Sequence, residues 1–290
     1  MYICNQCPRK CNVDRDSKIG ICGVNSEYKI ARAALHFWEE PCISGEKGSG
    51  TVFFSGCSLK CVFCQNSVIS DGCFGKEISE ERLIEIFKEL EDRGANNINL
   101  VSPTHYAVQL AETLSKYKPG IPVVYNTGGY DSVEALKLLD GLVDIYLTDM
   151  KYVSPSVSKK YSRAENYFDI CSKAILEMRR QQPEDIFENG LMKKGMIIRH
   201  LVLPGNVSQG MKMLDWVDEN VSNQTIISLM GQYMPCAKAA EYPTINRKIS
   251  MREYDTVISH AERLGFENVY IQELDSSSQE YIPNFDLTGV

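Results

Sequence analysis

A parallel α/β fold preceded by a small metal-stapled lobe is the fold class this sequence predicts, and three observations carry it. From Thr51 onward, short apolar runs alternate with amphipathic segments, the strand, helix, strand order of a parallel sheet. Several of those runs are too continuously apolar for a sheet with one wet face, so both faces are expected to be covered. Seven of the eleven cysteines fall in two tight clusters, Cys4, Cys7, Cys11, Cys22 and Cys57, Cys61, Cys64. In a reducing compartment that spacing means metal before it means disulfides. Periodicity leaves three layouts open: a doubly wound sheet, a full barrel and a partial barrel.

Residues 1–48 hold four cysteines and leave through the glycine-rich stretch Gly45-Glu46-Lys47-Gly48-Ser49-Gly50, so they are expected to form a separate lobe on a flexible junction. Strands follow at 51–55, 97–101, 121–125, 143–148, 196–202, 225–229 and 268–272. The helix over 79–93 has Ser79 as N-cap, Leu83, Ile86, Phe87 and Leu90 on one face, and Gly94 as its stop. A second well-marked helix spans 250–264, where Ser250 and Glu253 form a capping box and Gly265 ends the run. Helices with weaker caps are expected at 105–117, 131–140, 164–182 and 209–220. Residues 185–192 read as a small hairpin about Asn189-Gly190. The main domain is expected over 49–275, with a polar tail over 276–290.

At 290 residues, 43% hydrophobic and 24% charged, the chain resembles an ordinary globular protein that buries a full core, which excludes disordered, collagenous and fibrous classes. A formal net charge of −7 argues against holding nucleic acid or an anionic membrane through overall charge. The start Met1-Tyr2-Ile3-Cys4 lacks the basic end and apolar run of a secretory signal, and no stretch approaches the ~18 apolar residues of a membrane span. The expectation is cytoplasmic, with no membrane partner. A nucleic-acid role for the first lobe is disfavoured by the acidic balance and the few aromatics near Arg9, Lys10 and Arg15.

The first main-domain strand leads into Gly56-Cys57-Ser58-Leu59-Lys60-Cys61-Val62-Phe63-Cys64. Three thiolates here are one fewer than a closed zinc site or an ordinary [4Fe–4S] cluster takes. One iron would therefore be left free to bind a small molecule. Zinc with a ligand borrowed from elsewhere is the alternative. Cys57, Cys61 and Cys64, with aromatic Phe63 before the last, resemble the Cys-x3-Cys-x-aromatic-Cys signature of radical S-adenosylmethionine (SAM) enzymes. Within that superfamily the chain is similar to the pyruvate formate-lyase activating enzyme-like group with an added cysteine-rich start. The similarity rests also on Tyr125-Asn126-Thr127-Gly128-Gly129-Tyr130, Tyr146-Leu147-Thr148-Asp149-Met150-Lys151, and Ile198-Arg199-His200 through Asn206. It implies a partial (βα)6 TIM-like barrel with this loop after the first strand, and SAM chelating the open iron of a [4Fe–4S] cluster. Such an oxidoreductase cleaves SAM reductively to a 5′-deoxyadenosyl radical, which abstracts hydrogen from a substrate.

Each quoted motif ends a predicted strand, on the face where barrel sites are built. The resemblance implies that Asp149 and Lys151 contact SAM, and that Asn126 and Thr127, where the activases have Asp-Thr, help hold its carboxylate. Asn for Asp removes a charge and puts the activases' cation in doubt. Ser102 and Thr104 stand where the activases carry Gly-Gly-Glu for the methionine ammonium. Arg199 is a candidate for a carboxylate or the ribose, or for an ordinary ion pair. Phe63 either packs near the adenine or fills core. Gln232 or Tyr233 takes the place of an activase His, and Cys236 is a hydrogen donor, an extra ligand or an inert thiol. His105 caps the following helix; His36, His260, Cys42, Cys73 and Cys171 are structural.

Cys4, Cys7, Cys11 and Cys22 are four thiolates in a lobe too small for its own core, suited to a zinc staple or a second iron–sulfur cluster; the ribbon-like spacing leans to zinc. A second cluster would relay electrons from ferredoxin or flavodoxin. Three functions stand together: activation of a glycyl-radical enzyme, radical modification of a peptide or small metabolite, and a non-catalytic iron–sulfur electron-transfer module.

Overall fold

Both faces of the central strands are buried, which is why they read as unbroken apolar runs. The computed structural model describes residues 4–272, 274 and 283–290. In chain order the strands are β1 (Tyr28–His36), β2 (Ser49–Phe54), β3 (Lys76–Ile78), β4 (Ile98–Val101), β5 (Val123–Thr127), β6 (Ile145–Asp149), β7 (Ile186–Glu188), β8 (Leu191–Leu201), β9 (Ile226–Met230) and β10 (Val269–Ile271). The helices are α1 (Pro41–Ser44), α2 (Ser67–Ser70), α3 (Glu80–Asp92), α4 (Ala107–Lys116), α5 (Val133–Leu138), α6 (Pro155–Ser162), α7 (Tyr167–Gln181), α8 (Val207–Asn220) and α9 (Met251–Arg263). The sheet runs β10-β9-β8-β6-β5-β4-β2-β1-β3. It is parallel from β2 to β10, and β1 joins antiparallel to β2 and β3. The path does not close on itself, so the fold is a partial βα barrel.

Register decides what each face meets. Leu100, Tyr125, Tyr146, Met196, Ile198 and Ile227 share one face and pack in one cluster with Leu83, Leu110, Ile175, Leu214 and Val257 of the helices. Val124, Ile145, Leu147, Ile197 and Ile226 form a second cluster on the other face, with Cys42 and Ile43. Short α1 therefore fills the inside of the barrel, held there by Asn97 Nδ2 donating to the Ile43 carbonyl (2.7 Å). Above this apolar layer the same strands carry Asn126, Asp149, Arg199 and Ser228, and the interior turns polar.

The caps behave as their residues dictate: the Ser79 hydroxyl accepts from the Arg82 amide, and Ser250 with Glu253 closes a full capping box. The Asn189-Gly190 turn has positive φ at both residues, as a two-residue hairpin needs. The hairpin is not a separate insertion, because its second strand is the start of β8.

The expected lobe of 1–48 divides at residue 28. Beyond it, β1 pairs with β2 from Ile30↔Phe54 to His36↔Ser49, and 37–45 line or enter the barrel, so only the cysteine-bearing segment before β1 lies outside the sheet. Residues 276–282 of the expected tail lie outside the described residues. The following segment, 283–290, docks on β1: the Ala33 amide donates to the Thr288 carbonyl (2.8 Å), Arg32 pairs with Asp286 (2.8 Å) and Phe285 packs edge-on against Phe53.

Candidate functional site

Gly56 begins the three-cysteine loop at φ +84, where a Cβ would lie 2.9 Å from the Cys22 carbonyl; a left-handed turn this close to another backbone needs glycine. The Cys57 amide then donates to the same carbonyl (3.1 Å), the Val62 amide to Tyr161 (2.9 Å), and the Lys238 amide to the Val62 carbonyl (2.8 Å). The loop is thus fixed from three distant parts of the chain. Each thiol sulfur accepts one hydrogen bond: Cys57 from the Leu59 amide (3.4 Å), Cys61 from the Ser162 hydroxyl (2.9 Å) and Cys64 from the Ser70 hydroxyl (3.3 Å).

All three cysteines line one cavity of about 810 Å³ together with Phe63, Ser102, Asn126, Thr127, Asp149, Lys151 and Arg199. The residues expected to hold the catalytic cluster and SAM are thereby brought together, with one exception. Thr104 is buried against Thr127 (Oγ1 to Oγ1, 3.1 Å) and does not line the cavity; of the Ser102 and Thr104 pair, only Ser102 faces it, at φ +59. Phe63 faces the cavity while packing against Tyr161 and Tyr233, so the expected core-filling role is met at the cavity's edge. Gln232 also lines the cavity, whereas the Tyr233 hydroxyl is spent on the Ile245 carbonyl. Cys236 donates to the Phe63 carbonyl (3.1 Å), bracing the loop from behind.

At the inner wall Asp149 joins two cations. Its Oδ1 accepts from Arg199 Nε (2.9 Å) and its Oδ2 from Lys151 Nζ. Burial alone raises the Asp149 carboxyl; Lys151 and Arg199 outweigh it and hold the group below the usual carboxylate range. Burial works against Lys151 as well, but Asp149 and the Cys61 sulfur hold its pKa above the ordinary lysine value. Arg199 is not a free cation: it also donates to Glu39 Oε2 (3.1 Å) and Asn126 Oδ1 (2.7 Å). Of its expected roles the ion pair is thus present, with Asp149 and Glu39, and the same side chain also lines the cavity.

Glu39 is a site residue that sequence reasoning passes over. Its Oε1 accepts from Asn99 (3.2 Å) and Asn126 (3.1 Å), so the segment entering the barrel delivers a carboxylate between β4, β5 and β8. The adjacent acids Glu39-Glu40 between Trp38 and Pro41 are the local signal that was available. Tyr167 is a second such residue. Its hydroxyl proton lies between the Gly128 and Asp149 carbonyls, 2.8 and 3.0 Å away, and its oxygen accepts from the Lys151 amide, joining the loops after β5 and β6. Gly129 permits this approach, since a Cβ there would lie 2.1 Å from the Asp149 carbonyl.

His105 does not cap α4. Its Nε2 bonds to the Ser55 carbonyl (2.8 Å), while its own carbonyl accepts from Gln6 and Arg15. His200 holds the Met150 carbonyl through Nδ1 (2.7 Å). Burial pushes His105 down to about 3 and His200 to about 4, so both stay neutral when folded. In the unfolded chain they take up protons near the ordinary value of ~6.5, and stability is then lost as pH falls from there toward 4, by up to ~1.4 kcal/mol per pH unit for each. Urea midpoints measured between pH 7.5 and 4.5 should fall accordingly, and less steeply in His200→Gln.

A cluster is a fitting occupant for the loop. Burial pushes Cys64 up to about 12, with Cys61 and Cys57 adding to it, and burial likewise raises Cys61. Cys61 and Cys64 cannot be thiolates together without a strongly cationic centre to bind, and soft iron supplies one. Among the described residues no three Cys, His, Asp or Glu side chains are already drawn to coordinating separations, so the fit rests on donor set and burial. In the first lobe Cys4, Cys7 and Cys22 are buried. Cys7 is pushed up to about 12 by burial, with Cys4, Cys11 and Cys22 all near enough to contribute.

A partial βα barrel whose first parallel strand delivers three cysteines to an ion-lined cavity defines a class of radical enzyme. The chain belongs to the Radical SAM superfamily, whose family model matches residues 51–209. It is 34% identical over 277 residues to the uncharacterized protein MJ0674 of Methanocaldococcus jannaschii, covering 92% of this chain and 76% of that one. Among solved structures it is similar to Streptococcus suis SuiB bound to precursor peptide SuiA (14% identity, TM-score 0.52, 79% of this chain and 49% of SuiB). It is also similar to the FeFe-hydrogenase maturase HydG of Carboxydothermus hydrogenoformans (14% identity, TM-score 0.51, 80% of this chain and 56% of HydG). The chain thus spans about half the length of these solved structures, and at such identity the likeness is one of fold. Family membership brings a [4Fe–4S] cluster and SAM as cofactors. No helix among the described residues is long and apolar enough to cross a membrane.

Proposed function

We propose that this chain cleaves SAM reductively and directs the resulting radical at a polypeptide, with the glycine loop of a glycyl-radical enzyme as the first candidate. Its cofactors supply the 5′-deoxyadenosyl radical, which removes a hydrogen beyond the reach of any side-chain base. Cys57, Cys61 and Cys64 would hold the cluster. Asp149 and Lys151 present opposite charges to the amino and carboxylate groups of SAM, with Ser102, Asn126 and Thr127 beside them. Arg199 and Glu39 keep Asp149 and Asn126 in place, and Phe63 excludes water from the loop side.

The observation that carries the polypeptide reading is the cavity's wall. Phe37 and Trp38, 48% and 60% exposed, line the same cavity as the cysteines. Exposed aromatics leading to a reactive centre suit an extended chain better than a small polar metabolite. Peptide modification is the second reading, favoured by the likeness to SuiB, solved with a precursor peptide bound. Zinc or a second cluster at Cys4, Cys7, Cys11 and Cys22, a flavodoxin or ferredoxin donor, and a reducing, cytoplasmic location complete the proposal.

The test is to incubate the reduced, reconstituted chain with SAM and a glycyl-radical protein such as pyruvate formate-lyase, and to look for a glycyl doublet by electron paramagnetic resonance. The doublet is the expected result. Formation of 5′-deoxyadenosine without a doublet would move the assignment to peptide modification.

A further inference from the structure

Besides the Cys22 carbonyl that accepts from the Cys57 amide, the first lobe reaches the cysteine loop through one arginine. Arg9, between Cys7 and Cys11, donates through Nε to the Ser58 carbonyl (2.7 Å), through Nη1 to the Arg163 carbonyl (2.6 Å) and through Nη2 to the Ser162 carbonyl (3.0 Å). One planar guanidinium thus joins the cysteine loop to the C-terminus of α6, whose last carbonyls suit a cation. Ser162 is the final residue of that helix and fully buried. Its hydroxyl bonds to Cys61 Sγ at 2.9 Å and to the Tyr152 hydroxyl at 2.8 Å. A hydroxyl has one proton. With Ser162 donating to sulfur, Tyr152 donates to Ser162, and the relay ends on the cysteine.

We propose that Arg9 and Ser162 are positioning residues that set the reduction potential of the cluster, with Arg9 of the N-terminal lobe anchoring the backbone from which Ser162 donates to Cys61. The proposal rests on the reading of Cys61 as a cluster ligand. A hydrogen bond to a ligating sulfur favours the more negative, reduced cluster, so it raises the potential. In a dry site the bond is stronger than in water. The N-terminal cysteines and the catalytic loop are then coupled: whatever orders the segment around Cys7 and Cys11 also fixes how easily the cluster accepts an electron.

The experiment is an anaerobic redox titration of the reconstituted full-length protein, followed by electron paramagnetic resonance, with iron and sulfide content measured on every sample. Ser162→Ala should retain its cluster at a more negative midpoint potential, and Ser162→Thr, which keeps the hydroxyl, should return to the wild-type value. Arg9→Ala should shift the potential in the same direction and add little to Ser162→Ala. Tyr152→Phe, which leaves the helix end untouched, should give a smaller shift of the same sign, and stands in if Ser162→Ala takes up no iron. A wild-type potential in Ser162→Ala or, in its stead, Tyr152→Phe overturns the proposal. A wild-type potential in Arg9→Ala alone removes the lobe from it. A wild-type protein that takes up no cluster at all would instead refute the ligand assignment on which the proposal rests.

Discussion

Cys64→Ala should fold normally and yet lose both its [4Fe–4S] cluster and all SAM cleavage. Two thiolates on one short loop leave two irons of a cubane without protein ligands, and the cluster is not retained. The fold should tolerate the change, because the Cys64 side chain makes one long hydrogen bond, to Ser70 (3.3 Å), and its removal costs about 1 kcal/mol. Iron analysis, visible absorption and a urea midpoint separate the two effects. Cys42→Ala gives the converse pattern: Cys42 packs in the inner apolar cluster, so its loss should lower the urea midpoint while iron content stays at the wild-type level. Full iron in Cys64→Ala would mean that the loop is not the cluster site.

The second large effect is expected at Asp149. Asp149→Asn leaves Lys151 and Arg199 facing each other across a buried wall with their shared anion gone, and unpairing a buried charge in this way costs about 3–5 kcal/mol. Glu39 still pairs with Arg199, so Lys151 carries most of the damage. Because Asp149 is held below the usual carboxylate range when folded, its contribution is complete above the unfolded value of ~3.9 and is lost only as pH falls through the lower folded value. The difference in urea stability between wild type and Asp149→Asn should therefore not grow from pH 6 to 8, and it shrinks wherever the unpaired, buried Lys151 of the variant sheds its proton. A difference that grows with pH in that window would contradict the ion pair described. SAM binding, followed by calorimetry on the reconstituted proteins, should be lost in Asp149→Asn.

What could be foreseen from sequence divides along a physical line. The parallel strands were legible because burial on both faces leaves only apolar residues in them, and α3 and α9 because their caps are local in sequence. The cysteine loop was legible for the same reason: its three cysteines fall within eight residues. Strand β1 was hidden because its basic residues Lys29 and Arg32 interrupt the apolar pattern, and because its cysteine-rich approach suggested a self-contained lobe. Its partner pairs, such as Arg32 with Asp286, span almost the whole chain. Arg199 and Glu39 illustrate the limit most clearly. Each is an ordinary charged residue in sequence, and only the inward bend of 37–45 brings them together as an ion pair on the cavity wall.

The central claim is that the loop of Cys57, Cys61 and Cys64 holds a cluster that cleaves SAM inside this barrel. The most direct measurement is 5′-deoxyadenosine formed by the anaerobically reconstituted, reduced protein given SAM, beside a Cys61→Ala control. The account predicts product from the wild type and none from the control. An intact, reducible cluster that forms no 5′-deoxyadenosine with chemical or flavodoxin-type reductants, or equal product from both proteins, would contradict it.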